Sequence, residues 1–258
     1  MDISNRTVFI AGGTSGIGAG LARRFRAAGS TVVVGGRRAA GSTVVVGGRR
    51  ATGLDDVESV TVDVTDPASV LAARDEVLTA HPDLDLVVTM SGVMLTEDLR
   101  DPAHVAQAEQ SVAVNLLGTI RVVDAFTPHL LAQGHGDVLT VTSGIGFTPF
   151  PLMPTYGATK AAVHSYTESL RAHLAGTGVG VSELVPPAVA TAGQEQLNPN
   201  ALPLDAFLDE VVGLLSQDPT PHEVVVERAR PLRWSERDGT YDEMLAQRSQ
   251  ALASLPGR

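Results

Sequence analysis

The chain has 258 residues, 43% of them hydrophobic, enough to bury a sizeable core within the size range of one α/β domain. Its formal net charge of -10 carries no long block of like charge, which argues against nucleic acid and anionic membrane surfaces and for a small-molecule partner. With no cysteine, disulfides, thiolate metal sites and thiol nucleophiles are excluded, and a cytoplasmic location fits; no apolar run nears a membrane span, and Met1–Thr7 has no cationic segment ahead of an apolar one.

In chain order, short β-branched runs alternate with helical patterns. Strands are expected at Thr7–Ala11, Thr31–Val34, Val60–Val64 and Leu84–Thr89, with helices at Ile17–Ala28 and Pro67–Ala80 between them. A long helix over Ala103–Phe126, ending near Pro128, a strand at Asp137–Thr142, a helix at Thr155–Leu174 and a strand at Val179–Val185 follow. After Pro186 come a Pro/Gly/Asn-rich loop (Ala188–Pro203), a helix near Leu204–Ser216, a strand at Glu223–Glu227 and a helix near Tyr241–Leu252. Strands apolar on both faces and separated by helices imply a three-layer, doubly wound parallel sheet in a single domain. Residues 1–187 would form its core and 188–258 a lid and C-terminal region.

Directly after the first strand, Gly12-Gly13-Thr14-Ser15-Gly16-Ile17-Gly18 opens a helix. Glycines there let backbone N–H groups approach a pyrophosphate, which the helix N-terminus also favours. On the helix at Thr155–Leu174, Tyr156 and Lys160 are four apart and share a face, and an ammonium near a phenol favours its ionisation, suiting Tyr156 to general acid/base work. Ser143 leaves a strand in Thr142-Ser143-Gly144, where its hydroxyl can polarise a substrate oxygen. Asn115, set among apolar residues, needs an amide partner and can hold a water.

This order of motifs resembles the short-chain dehydrogenase/reductase family across roughly the first three quarters of the chain. The glycine motif matches at Gly12, Gly16 and Gly18, and an Asn-Ser-Tyr-Lys tetrad falls on Asn115, Ser143, Tyr156 and Lys160. The resemblance implies a Rossmann-type fold and hydride transfer between a nicotinamide and a carbonyl or alcohol. Tyr156 would pass the proton, Ser143 position the substrate oxygen, Lys160 bind the nicotinamide ribose and depress the tyrosine pKa, and Asn115 hold a relay water. It implies cofactor contacts from Gly12, Thr14, Ser15, Gly16, Ile17, Gly18, Asp63, Val64, Ser91, Gly92, Pro186, Val189 and Thr191 as well. Relatives commonly form homodimers or homotetramers through the helices at Ala103–Phe126 and Thr155–Leu174. Leu184-Val185-Pro186-Pro187-Ala188-Val189 with Tyr241-Asp242-Glu243 is similar to the family's bacterial DltE-like branch.

Three features depart from the family pattern. Met90-Ser91-Gly92 stands where Asn-Ala-Gly is usual, and Pro186-Pro187 where Pro-Gly is common, fixing φ and removing a donor. The third is a tandem duplication: Ala27–Arg38 recurs letter for letter as Ala39–Arg50. The second strand of such a fold ends at the adenosine ribose, where an acid selects NAD and an arginine accommodates the 2′-phosphate of NADP. Val34-Gly35-Gly36-Arg37-Arg38 offers two cations and no acid, which favours NADP(H) over NAD(H).

If Val32–Val34 is the strand, Arg37 and Arg38 face the phosphate; if Val44–Val46 pairs instead, Arg49 and Arg50 do. The distance from Gly18 favours the first copy.

Phe147, Phe150, Met153 and Met94 point to an apolar substrate, and His164 reads as a helix-face or interface residue. The seven histidines have no metal spacing, so no metal is assigned. A second reading, a catalytically weak NADP-binding regulatory or scaffold protein, rests on the three departures.

Overall fold

The computed structural model describes residues 1, 3–37, 57–191, 198 and 200–257. Its centre is a seven-stranded parallel sheet. The strands are β1 (Thr7–Ala11), β2 (Thr31–Gly36), β3 (Glu58–Thr61), β4 (Leu86–Thr89), β5 (Gly136–Val141), β6 (Val179–Val185), and, after the short pair β7 (Val189–Ala190) and β8 (Leu202–Pro203), β9 (Glu223–Val225). Their order is β3-β2-β1-β4-β5-β6-β9. The chain reverses direction across the sheet between β1 and β4, and in such sheets ligands bind at the carboxyl ends of the strands beside that point.

The helices are α1 (Gly16–Ala27), α2 (Pro67–Ala80), α3 (Val105–Ser111), α4 (Gly118–Gln133), α5 (Pro154–His173), α6 (Leu204–Leu215), α7 (Arg230–Arg233) and α8 (Tyr241–Ser249). Alternation along each strand sends side chains to two cores. Val8, Ile10, Val32, Val34, Leu86 and Val88 pack with Leu21 and Phe25 of α1 and Phe207, Leu208 and Val211 of α6. Phe9, Val33, Val87 and Val138 face the other way, against Val70 and Val77 of α2 and Val122 and Phe126 of α4. Phe9 and Phe126 stack with ring centroids 4.8 Å apart.

The first copy of the duplicated segment supplies β2, with Val32, Val33 and Val34 in register with Val8, Phe9 and Ile10 of β1. Gly29, at φ 87°, turns the chain from α1 into that strand. The second copy, and Arg38, Arg49 and Arg50 with it, lie outside the described residues.

Several boundaries differ from expectation. The third strand runs over Glu58–Thr61, paired with Val33–Gly36, so Asp63 lies in the following turn and does not end a strand. Pro128 sits inside α4, which continues to Gln133 and closes on Gly134 at φ 73°. Proline removes one helical N–H, and the neighbouring turn gains a bond from Thr127 Oγ1 to the Val123 carbonyl at 2.7 Å. The long central helix is also not regular: Val112–Leu117, between α3 and α4, is a π-helical turn containing Asn115. No helix among the described residues is long and apolar enough to cross a membrane.

Candidate active site

Glycines fix the loop between β1 and α1. Gly12 has φ 90°, and a Cβ there would stand 2.5 Å from the Ser91 backbone nitrogen. A Cβ on Gly18 would lie 2.3 Å from the Gly12 carbonyl oxygen, so the start of α1 presses directly on the loop. Gly16 adopts φ 53°, which glycine accommodates without strain. Ser15 is the exposed N-cap of α1 and its side chain makes no capping bond. The first-turn N–H groups of α1 therefore face the carboxyl edge of the sheet in a cradle with little side-chain bulk, which fits a dinucleotide pyrophosphate.

The other residues expected at a cofactor have the following surroundings. A Cβ on Gly16 would meet Thr191 Cγ2 at 3.6 Å, so Thr191 covers the loop mouth. Thr14 packs against Gly36 at the end of β2, where a Cβ would come within 2.7 Å of Thr14 Cγ2. Arg37, exposed, follows immediately. Asp63 accepts from the Thr65 hydroxyl at 2.7 Å and the Thr65 N–H at 2.9 Å; these bonds, with a smaller contribution from the Arg37 charge, hold its carboxyl below the usual range. Val64 is buried, and its carbonyl accepts from Arg121 Nη1 at 3.1 Å. Ile17 packs on the α1 side of the core, the Pro186 carbonyl accepts from Gly144 N at 2.9 Å, and Val189 is buried beside β8.

The other half of the site lies across the sheet switch. Asn115 is fully buried; its Oδ1 accepts from Val93 N at 2.8 Å, and its Nδ2 donates to the Val93 carbonyl at 3.0 Å and to Thr159 Oγ1 at 3.3 Å. The amide thus braces the loop after β4 against α5, where a water was the expected partner. A Cβ on Gly92 would lie 3.4 Å from Asn115 Oδ1 and 4.0 Å from Lys160 Nζ, which places Gly92 beside both.

Ser143 is buried beyond the end of β5, and Tyr156 is buried on the first turn of α5. Gly157 lets α5 approach: a Cβ there would stand 2.9 Å from the Ile145 carbonyl oxygen. Burial pushes the Tyr156 phenol up to about 12, against a hydrogen bond with Ser143 that draws it down. Lys160 Nζ lies 5.7 Å from the Tyr156 ring centroid and donates to the Val141 carbonyl at 2.7 Å. Burial draws this ammonium down to about 8, opposed by the charge of Glu183. The direction is therefore the opposite of the lowering expected from Lys160: burial dominates the phenol, with Ser143 opposing it.

Of the apolar residues expected at the substrate, Phe147 is committed elsewhere. It meets the His164 ring edge-on at 4.8 Å, carries the Arg233 guanidinium at 4.3 Å, and packs with Val185 and Val225. Phe150 carries Arg248 at 5.0 Å, Met153 is the N-cap residue of α5, and Met94 is 42% exposed.

Sequence reasoning missed two buried carboxylates. Glu97 caps α5, accepting from Thr155 N at 3.1 Å and Thr155 Oγ1 at 2.8 Å, and it also meets His104 Nδ1 at 3.1 Å. Glu183, in the carboxyl half of β6, binds Thr142 and His164. Glu183 had a signal, a charge within an otherwise apolar inner strand; Glu97 had none.

Residues 6–202 match the short chain dehydrogenase family. An uncharacterized oxidoreductase, DltE, of Bacillus subtilis (strain 168) is 32% identical over 192 residues, 74% of each chain. The uncharacterized oxidoreductase SERP2049 of Staphylococcus epidermidis is 31% identical over 189 residues, 73% of this chain and 80% of that one. Among solved structures, a short chain dehydrogenase from Burkholderia cenocepacia J2315 in complex with NADP superposes with a TM-score of 0.79 at 24% identity, covering 96% of this chain and 98% of that one. One from Streptomyces avermitilis has a TM-score of 0.77 at 20% identity, covering 97% and 98%. The sheet order, the glycine loop and the match over most of the length agree: this chain belongs to the short chain dehydrogenase family.

Proposed function

We propose that this oxidoreductase is NADP(H)-dependent and transfers hydride between the nicotinamide and an apolar carbonyl or alcohol, with Tyr156 as general acid/base. The observation that carries the reading is the buried trio at the carboxyl ends of the central strands. Ser143 and Tyr156 are both buried there, and Lys160 Nζ is 5.7 Å from the phenol ring.

The nicotinamide, when bound, supplies or accepts the hydride. Gly12, Thr14, Ser15, Gly16, Ile17 and Gly18 hold the pyrophosphate; Asp63 and Val64 border the adenine. Ser91, Gly92, Pro186, Val189 and Thr191 line the nicotinamide half. Arg37, with no acid at the end of β2, accommodates a ribose 2′-phosphate; the NADP seen in the Burkholderia protein of the same fold agrees with this choice. Ser143 donates to the substrate oxygen, Tyr156 delivers its proton to that oxygen in reduction and removes it in oxidation, and Lys160 stabilises the phenolate left behind. Asn115 keeps the Val93 loop and α5 at fixed separation, so the groups stay aligned. Met94 and Met153 favour an apolar substrate, and assembly through the α4 and α5 faces into a homodimer or homotetramer belongs to the same reading.

Parallel titrations with NADPH and NADH, followed by carbonyl turnover of wild type and Tyr156→Phe, test this. NADPH preference with turnover lost in the variant supports it. Equal rates in the two proteins would remove Tyr156 from the reaction and favour a nucleotide-binding scaffold.

A further inference from the structure

On the α5 face of the sheet, two neighbouring strands turn polar at their carboxyl ends. Valines 138 and 181 give way to Thr140 and Thr142 on β5 and just beyond it, and to Glu183 on β6, with Thr140 in register with Glu183. The Glu183 side chain is fully buried and has a partner on each oxygen. Thr142 Oγ1 donates to Oε1 at 2.5 Å, and His164 Nδ1 lies 2.7 Å from Oε2. From α5, Lys160 and His164, one turn apart on one face, reach down to this spot. Lys160 takes the carbonyl of Val141, the residue before Thr142, and His164 takes the carboxylate.

We propose that the buried Glu183 carboxylate is a counter-ion shared by Lys160 and His164, so that the protonation of His164 sets how firmly Lys160 keeps its charge.

A buried charge is costly unless compensated. Lys160 has a neutral carbonyl as its hydrogen-bond partner, and the favourable charge acting on it comes from Glu183. When His164 is protonated, the His164–Glu183 pair is net neutral and Lys160 receives little support. When His164 loses its proton, the full negative charge faces Lys160 and holds the ammonium. Rising pH therefore strengthens the hold on Lys160 just as solvent begins to compete for its proton. His164 and Glu183 act as positioning residues behind the catalytic lysine.

The other charges around His164 are few. Glu168, on α5, lies 3.8 Å from Nε2 and is exposed; Arg233, on α7, opposes protonation, but is itself paired with Glu223 of β9 at 2.5 Å. Arg171 of α5 acts on Glu223 in turn. The hydrogen bond that His164 makes to Glu183 leads the causes that raise the imidazole above its ordinary value, and burial opposes it.

The inference rests on the proposed role of Lys160, but its first test needs no turnover. His164 is titrated by NMR in the whole protein, in wild type, Lys160→Met and Lys160→Arg. Removing the lysine charge leaves Glu183 to His164 alone, so the imidazole should titrate at least about half a unit higher in Lys160→Met, the two groups titrating as a coupled pair. Lys160→Arg should restore the wild-type value. An unchanged His164 titration in Lys160→Met overturns the shared counter-ion whatever reaction the protein catalyses.

The second test is the pH profile of kcat/KM. Glu183→Gln should move the alkaline limb to lower pH by about a unit or more, while His164→Gln should leave the limb at or above the wild-type position. An unmoved limb in Glu183→Gln contradicts the proposal.

Discussion

Asn115 holds both main-chain polar groups of Val93, accepting from its N–H at 2.8 Å and donating to its carbonyl at 3.0 Å. A single buried amide thereby pairs the main chain of the loop beyond β4 much as a neighbouring strand would, and its third bond, to Thr159, ties that loop to the helix carrying Tyr156 and Lys160. Asn115→Ala would leave the two Val93 groups unpaired, for a loss of about 2 kcal/mol. Urea unfolding of the two proteins should show this loss, and turnover should fall along with it because α5 loses a brace. Unchanged stability would mean that the Val93 bonds are replaced by solvent without cost.

Glu97 makes a comparable long-range connection at the start of the same helix. Its carboxylate accepts both the N–H and the hydroxyl of Thr155, one residue before Tyr156. Glu97→Ala should destabilise the protein by about 2–3 kcal/mol, the range for losing a buried charged cap together with its hydrogen bonds. Glu97→Gln should recover part of that loss. Denaturant midpoints of the three proteins check the order wild type, Gln, Ala.

These two braces mark where sequence reading stopped. β1 could be bounded from the sequence because its apolar run is short and closed by the glycine loop, β6 because its valines and leucine continue on both sides of Ser182 and Glu183, and Tyr156 and Lys160 could be paired because helical spacing alone puts them on one face. The duplicated segment was half legible. Identical side chains cannot choose a strand, but the distance from Gly18 favoured the first copy, and that copy is β2. The π-helical turn at Asn115 and the partners of Glu97 and Glu183 depend on residues tens of positions away, and no local pattern encodes them. The phenol likewise follows its surroundings. Spacing predicted that Lys160 would lower it, whereas enclosure between α5 and the loop after β5 raises it.

Lys160 should leave a signature in the dependence of stability on pH. Its folded value is about 8 against 10.5 for the free side chain, so below 8 both states are protonated and the burial penalty is fully present. Between about 8 and 10.5 the unfolded chain binds more protons than the folded one, and stability contributed by this residue rises with pH. Tyr156 acts in the opposite sense and higher, from 10 to about 12. Measured from pH 8 to 10, wild type should therefore gain stability relative to Lys160→Met; parallel curves would contradict the buried ammonium.

Arg37 should decide between the two nicotinamide cofactors. Arg37→Ser removes a charge-assisted contact of about 1.5–3 kcal/mol, so NADPH should bind roughly ten- to a hundredfold more weakly while NADH is unaffected. Equal losses for both cofactors would assign the arginine to general folding or to the pyrophosphate.

The central claim is that Tyr156 passes the proton while the nicotinamide passes the hydride. The direct measurement uses NADPH deuterated at the transferable position of the nicotinamide, offered with a panel of apolar ketones and aldehydes to wild type and Tyr156→Phe. Deuterium should appear on the carbinol carbon of the product with wild type. The rate should fall by roughly 10²–10⁴-fold in the variant, the range for loss of a general acid, with NADPH still bound. Turnover at the same rate in both proteins, or product alcohol without deuterium, would contradict the account.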